Sequence, residues 1–179
     1  MKRILILLCA LALLFTACAA QPGPEPETTI ETTLISETSD RGWAYCQAFL
    51  YLLQTDGELG GGDKYLAMDM TNVQEDARAA LERLMRDYCA GKGQTFLVAT
   101  YEELVRQGHI NEQELYFEEG ILYQFGKPDE PIVGKVGPDE MVFAASKWKG
   151  GLAGYGATFF MKLSDEKWTL NRTENEWIS

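Results

Sequence analysis

"YLAMDMTNVQEDARAALERLMRDYCAGKGQTFLVA", residues 65–99, contains the change of period that decides the architecture. Tyr65 to Met70 is a short apolar run, too brief for a helix, and reads as a buried strand. Thr71-Asn72-Val73-Gln74 has the spacing of a capping box, in which the two end side chains satisfy backbone N–H groups of a first helical turn. Val73, Ala77, Ala80/Leu81, Leu84 and Tyr88 then recur at three and four residues, which lines up one face of a helix. Gly91-Lys92-Gly93 ends that helix, and Thr95 to Ala99 is a second strand. A strand, a helix and a strand in this order predict a parallel βαβ unit.

Upstream, Trp43, Cys46, Phe49/Leu50 and Leu53 form an amphipathic stripe that stops at Thr55-Asp56-Gly57. "GELGGGDK" (57–64) is a loop. Downstream, Thr100-Tyr101-Glu102-Glu103 is another capping box, opening a short helix to Gln107 with Gly108 at its C′ position. After Gly108 the period changes. "LYF" and "ILYQF" read as two short strands around a loop whose Gly120 suits a left-handed conformation. Proline and glycine punctuate 126–138. "EMVFAASKW", "LAGYGATFFMKL" and "KWTL" alternate as antiparallel strands, with "SDEK" a hairpin turn between the last two. The prediction is an α+β domain: an N-terminal helix and a βαβ-type unit, then an antiparallel meander, in a single mixed sheet with helices packed on it.

The first forty residues are of another kind. Met1-Lys2-Arg3 is basic, and Ile4 to Phe15 is uncharged and apolar. About a dozen residues cannot span a bilayer as a helix, which needs roughly 20, but they suit the core of a secretory signal. Leu14-Phe15-Thr16-Ala17-Cys18 resembles the lipobox of bacterial lipoproteins, which implies cleavage after Ala17 and acylation of Cys18. An ordinary cleaved signal ending at Ala17 or Ala20 is the alternative. Phe15 departs from the leucine usual at its position. Residues 18–40 begin with the lipidated cysteine and continue Pro-, Thr- and Glu-rich, with five acids, no Lys or Arg and no aromatic residue. Such a segment cannot bury enough surface to fold and acts as a tether. As a flexible coil it reaches roughly 25 Å. The expected organisation is therefore 1–17 signal peptide, 18–40 lipidated tether, and 41–179 one extracytoplasmic domain on the outer face of the cell membrane.

The chain carries 27 acids against 16 Lys and Arg, a formal charge of −11. Such a surface repels nucleic acid and anionic headgroups, so the expected partners are the membrane, through the Cys18 lipid, and an envelope protein or glycan. Of four cysteines, Cys46 and Cys89 remain in the domain, beside apolar neighbours in helical patterns. Two buried thiols are expected, although an export route permits a disulfide.

"TYEELVRQGHINEQELYFEEGILYQF", "SKWKGGLAGYGATFF" and the closing "KWTL…EWIS" resemble an uncharacterised domain of lipoproteins and secreted proteins of Gram-positive bacteria. The resemblance covers most of 43–179. It implies a surface location and an α+β fold, and it implies no activity.

The motifs that carry chemistry elsewhere fail here on geometry. Ser146-Lys147-Trp148-Lys149 reads Ser-x-x-Lys, the nucleophile signature of penicillin-interacting enzymes, which needs both side chains on one helical face. Residues 141–148 alternate as a strand, which sends i and i+3 to opposite faces. The Ser-Asp-Asn and Lys-Thr-Gly companions are absent from the sequence. Neither "GELGGGDK" nor 150–156 has the Gly-Lys-Ser/Thr of a phosphate loop. Read as a calcium loop from Asp56, the first segment has Ala67 where a bidentate glutamate belongs, leaving at most a weak contact from Asp56 and Asp63. One histidine, His109, and two internal cysteines make no His/Cys metal cluster, and no cofactor is expected. Gly154 and Gly156, in a strand, mark close approach by a ring, a backbone or a ligand.

Two places remain. Asp69, with Thr71 and Thr100, sits at the C-terminal ends of the two parallel strands, where α/β sheets bind ligands. Trp148 stands between Lys147 and Lys149, a basic aromatic spot on an acidic domain, with Tyr155 nearby in the next strand. The candidate binding surface is thus Lys147, Trp148, Lys149, Tyr155 and Asp69. The expected function is a non-catalytic binding or interaction domain. A small-ligand-binding lipoprotein is the alternative, and an enzyme acting on cell-wall material a third.

Overall fold

The computed structural model describes residues 41–55, 59, 63–126 and 137–179. Residues 1–40, with the expected signal peptide, Cys18 and the expected tether, lie outside the described residues, as do Asp56 and the Pro/Gly-punctuated 127–136. In chain order the elements are α1 (Arg41–Gln54), β1 (Tyr65–Asp69), α2 (Glu75–Lys92), β2 (Thr95–Val98), α3 (Tyr101–Arg106), β3 (Gly120–Phe125), β4 (Glu140–Gly150), β5 (Ala153–Ser164) and β6 (Lys167–Ile178). The strands form one mixed sheet in the order β2-β1-β3-β4-β5-β6. The fold is α+β, with the βαβ unit β1-α2-β2 leading into the antiparallel run β3 to β6.

One pairing differs from expectation. Leu115–Phe117 is not the first arm of a hairpin; Tyr116 makes only single bridges, to Asn111 and Gly150. β3 instead lies parallel to β1, Asp69 opposite Gln124, so the sheet contains a second crossover through α3. The 115–117 backbone bonds the end of β4 instead, Phe117 N–H donating to the Lys149 carbonyl at 2.8 Å and Gly151 N–H to the Leu115 carbonyl at 3.1 Å. The Phe117 ring lies where a Gly120 side chain would project, and the positive φ falls on Leu115 rather than on the glycine.

The two crossovers cover different faces. On one face α1 and α2 bury Tyr45, Phe49, Ala77, Leu81 and Leu84 against Leu66, Met68, Tyr123, Phe143 and Phe159. Tyr45 packs on Phe143 at 4.6 Å and edge-on to Phe125 at 5.1 Å, while Phe49 bridges Tyr88 at 5.6 Å and Tyr123 at 5.0 Å. Held between α2 and the sheet, α1 buries Tyr45, Ala48, Phe49 and Leu52, a broader face than the stripe through Trp43 and Leu50, which stay half-buried. On the other face Leu104 of α3, with Ile110 and Phe117, covers Ala67 and Leu122.

The helix ends are local events. Thr100 and Glu103 form the expected capping box, at 3.2 Å and 2.9 Å. Thr71 does not cap α2. Its N–H is taken by Asp69 Oδ1 at 2.8 Å in an Asx turn, and the helix starts four residues later behind Gln74. Gly93 closes α2 at φ 68°. Ser164 pairs with Lys167 around Asp165 and Glu166, both at positive φ, the twist a two-residue hairpin needs. β6 runs to Ile178, well past the "KWTL" that alternation marks, because beyond Leu170 it is a solvent-facing edge. Its register with β5 shifts twice, between Gly156 and Thr158 and between Phe160 and Met161. Trp177 lies over Gly156, where a Cβ would fall 2.6 Å from its ring, so a ring occupies the bare strand.

Candidate functional site

The order β2-β1-β3 decides where a crevice can open. The chain leaves β1 toward the face covered by α2 and leaves β2 toward the face covered by α3, and β1 and β3 lie side by side between the diverging connections. Ligand sites of α/β sheets form at such a switch point, outside the carboxyl ends of the strands. A crevice of about 600 Å³ lies there.

Its floor is set by strand register. Leu122 on β3 is opposite Ala67 on β1 and Trp148 on β4, which makes an apolar row across three strands. One step toward the strand ends, Asp69 is opposite Gln124, and Gln124 is opposite Ser146, a polar row on the same face. Thr71 and Asn72 after β1, Thr100, Tyr101 and Glu102 at the start of α3, and Leu115 and Gly151 complete the lining. Tyr101 meets Trp148 edge-on, with ring centroids 5.5 Å apart. At the end of β3, Gly126 turns with φ 77° close against Asn72, an approach a side chain would obstruct. Asp69 and Glu102 carry negative charge into the crevice, and none of the described residues lining it is Lys, Arg or His. Asp69 makes the Thr71 hydrogen bond, and neither carboxylate has an ion pair among the described residues.

The five candidate surface residues therefore separate. Asp69 and Trp148 come together. Lys147 and Tyr155 are a correction: they are opposite one another in register on the helix-covered face, at 0% and 2% exposure, and offer no surface. The reason is the two-residue period of β4, which turns the neighbours of Trp148 to the other side of the sheet. Lys147 Nζ donates to the Thr55 carbonyl. Lys149 is half-buried in an ion pair with Asp63, so the basic spot around Trp148 does not exist. The same ion pair takes Asp63, one of the two carboxylates left open for a weak calcium contact. Ser146 and Lys149 point to opposite faces of β4 and cannot act as a nucleophile and base.

Burial pushes the hydroxyls of Tyr123 and Tyr155 above the ordinary tyrosine range. It also raises the Cys89 thiol to about 11, and both Cys46 and Cys89 are buried free thiols. These groups belong to the core. His109 lies half-buried against Tyr65, at 4.7 Å. Among the described residues no group of three or more His, Cys, Asp or Glu is placed to hold a metal.

Sequence reasoning missed Tyr101, Glu102, Gln124 and Leu115. The signal for Tyr101 and Glu102 was their place beside Thr100 at a strand end. Gln124 became visible only when β3 proved parallel to β1. No family model, no curated protein and no solved structure matches the chain, so the crevice is read from its own geometry.

Proposed function

We propose that the protein is a lipid-anchored extracytoplasmic binding domain, held at the outer face of the cell membrane by Cys18, whose ligand is an envelope component seated in the crevice between Asp69 and Trp148. The observation that carries the ligand half is the meeting of these two residues, from separate parts of the chain, on one crevice with an apolar floor and polar walls. Pockets of roughly 300–1,000 Å³ with this balance suit small ligands or a short segment of a larger one. Binding is favoured over catalysis because the crevice holds carboxylates, amides, hydroxyls and rings without an activated nucleophile beside a base. The anchor half rests on residues 1–18. Among the described residues no helix is long and apolar enough to cross a membrane.

A photo-crosslinking amino acid at Leu115, half-exposed on the crevice wall, tests the reading in living cells. The full chain should yield an adduct from Leu115 that is lost with Trp148→Ala and is not formed from Glu82 on the outer side of α2. Labelling with an alkyne fatty acid should disappear with Cys18→Ser. Equal adducts from both positions, or an adduct indifferent to Trp148, would refute the crevice as the binding site.

A further inference from the structure

The structure also limits what kind of molecule the crevice accepts. This inference rests on the crevice being the ligand site. In α/β sheets, ligands at strand carboxyl ends are often anions, because free backbone N–H groups point at them there. Here three of those groups are already used by the protein. Asp69 Oδ1 accepts from Thr71 N–H at 2.8 Å, Glu103 Oε2 accepts from Thr100 N–H at 2.9 Å, and Thr100 Oγ1 accepts from Glu103 N–H at 3.2 Å. α2 begins beyond this turn, at Glu75. An anion would therefore meet two carboxylates, Asp69 and Glu102, with no cationic side chain in the described lining. The opposite sign meets favourable groups. Tyr101 and Trp148, edge-on to one another, both line the crevice, and a cation over an aromatic face is attracted by the negative side of the ring quadrupole. Leu122 and Leu115 supply apolar surface for the rest of the molecule.

We infer that the crevice selects an organic cation, an amine or quaternary ammonium group on a small apolar body, with Asp69 and Glu102 as counter-charges and Tyr101 and Trp148 as the aromatic wall.

The test uses the full chain in detergent and follows the Trp148 indole N–H resonance, assigned by its loss in Trp148→Phe. Four probes are titrated: butyltrimethylammonium, its neutral isostere 3,3-dimethyl-1-butanol, butyrate, and N-acetylglucosamine. The ammonium should move the resonance and bind at least tenfold more tightly than the neutral isostere, with butyrate without effect. Asp69→Asn and Glu102→Gln should each weaken it about tenfold. Asn at 69 keeps the oxygen that accepts from Thr71, so the turn survives. If the isostere, butyrate or the sugar moves Trp148 as well as the ammonium does, the crevice stands as a site and the charge preference is overturned. If none of the four moves it, the crevice itself is refuted as a ligand site.

Discussion

Gly120→Ala isolates one contact on which the α3 side of the sheet depends. An alanine Cβ at this position would lie 2.2, 2.3 and 2.7 Å from three atoms of the Phe117 ring. Carbon atoms pack at roughly 3.5–4.0 Å, so the ring must retreat by more than 1 Å. It has little room, because Phe117 is fully buried among Ala67, Ala99, Leu104, Ile110 and Leu122. The backbone at Gly120 is outside the left-handed region, so alanine adds no dihedral strain and the penalty is steric. Overpacking of this kind costs about 1–3 kcal/mol, and the depth of this overlap puts Gly120→Ala near about 3 kcal/mol. Phe117→Ala alone should cost about 3–5 kcal/mol by leaving a cavity. In the double variant the new methyl enters the vacated space, so Gly120→Ala should be close to neutral there. The cycle then gives a coupling of about 2 kcal/mol or more, far beyond the near-additivity of independent sites. Urea unfolding of the four proteins, at constant m-value, measures it. An equal loss from Gly120→Ala in both backgrounds, or a loss below about 0.5 kcal/mol in the parent, would refute the steric account.

Other outcomes follow from local geometry. Asp165 and Glu166 hold φ of 51° and 61°, which costs a residue with a side chain roughly 1–2 kcal/mol relative to glycine, so Asp165→Asn with Glu166→Gly should raise the urea midpoint by about 1 kcal/mol of stability. Thr100→Ala removes a capping-box oxygen and should cost about 1 kcal/mol, with amide exchange rising first at Glu103. Burial raises the Cys89 thiol to about 11 from 9.0, so between those values the unfolded chain binds fewer protons than the folded one, and stability must fall as pH rises through that window. Cys89→Ala should flatten this part of the pH profile, and the native thiol should react with Ellman's reagent far more slowly at pH 8 than the unfolded one. A profile unchanged by the substitution would contradict the assignment.

What the sequence revealed was what short spans encode. The 65–99 unit, the Thr100 cap and the 164–167 turn are each specified within a few residues of one another, and each forms. The parallel pairing of β3 with β1 was hidden because its partners lie far apart in the chain, while Leu115–Phe117 makes backbone bonds to Lys149 and Gly151 at the end of β4 rather than pairing with β3. Thr71 does not start α2 because Asp69 Oδ1, two residues earlier, accepts the Thr71 N–H that the Gln74 side chain would take in a capping box, and the helix begins only behind Gln74. Lys147 was misread in spite of its parity with Phe143 and Ala145. Strand period placed it inside, charge argued for outside, and the contact that decided the matter is the Thr55 carbonyl, which no local pattern can announce. At the crevice, Asp69 and Thr100 lie where the strand-end rule puts them, while Trp148 was singled out for flanking lysines that turn to the other face. Their meeting required the sheet order.

The two register shifts along β6 have a consequence for self-association. An edge strand offers unpaired N–H and C=O groups to any neighbouring chain, and a long regular one is a template for fibrils. β6 is twelve residues long, yet its regular pairing is broken into short runs, the longest being Lys167–Leu170. Asn175, at φ 53°, kinks the strand again near its end, and Lys167, Arg172, Glu174 and Glu176 put charge along it. A second copy sliding against this edge would find only a few matched hydrogen bonds before the ladder failed. The irregularity keeps neighbouring molecules from zipping together.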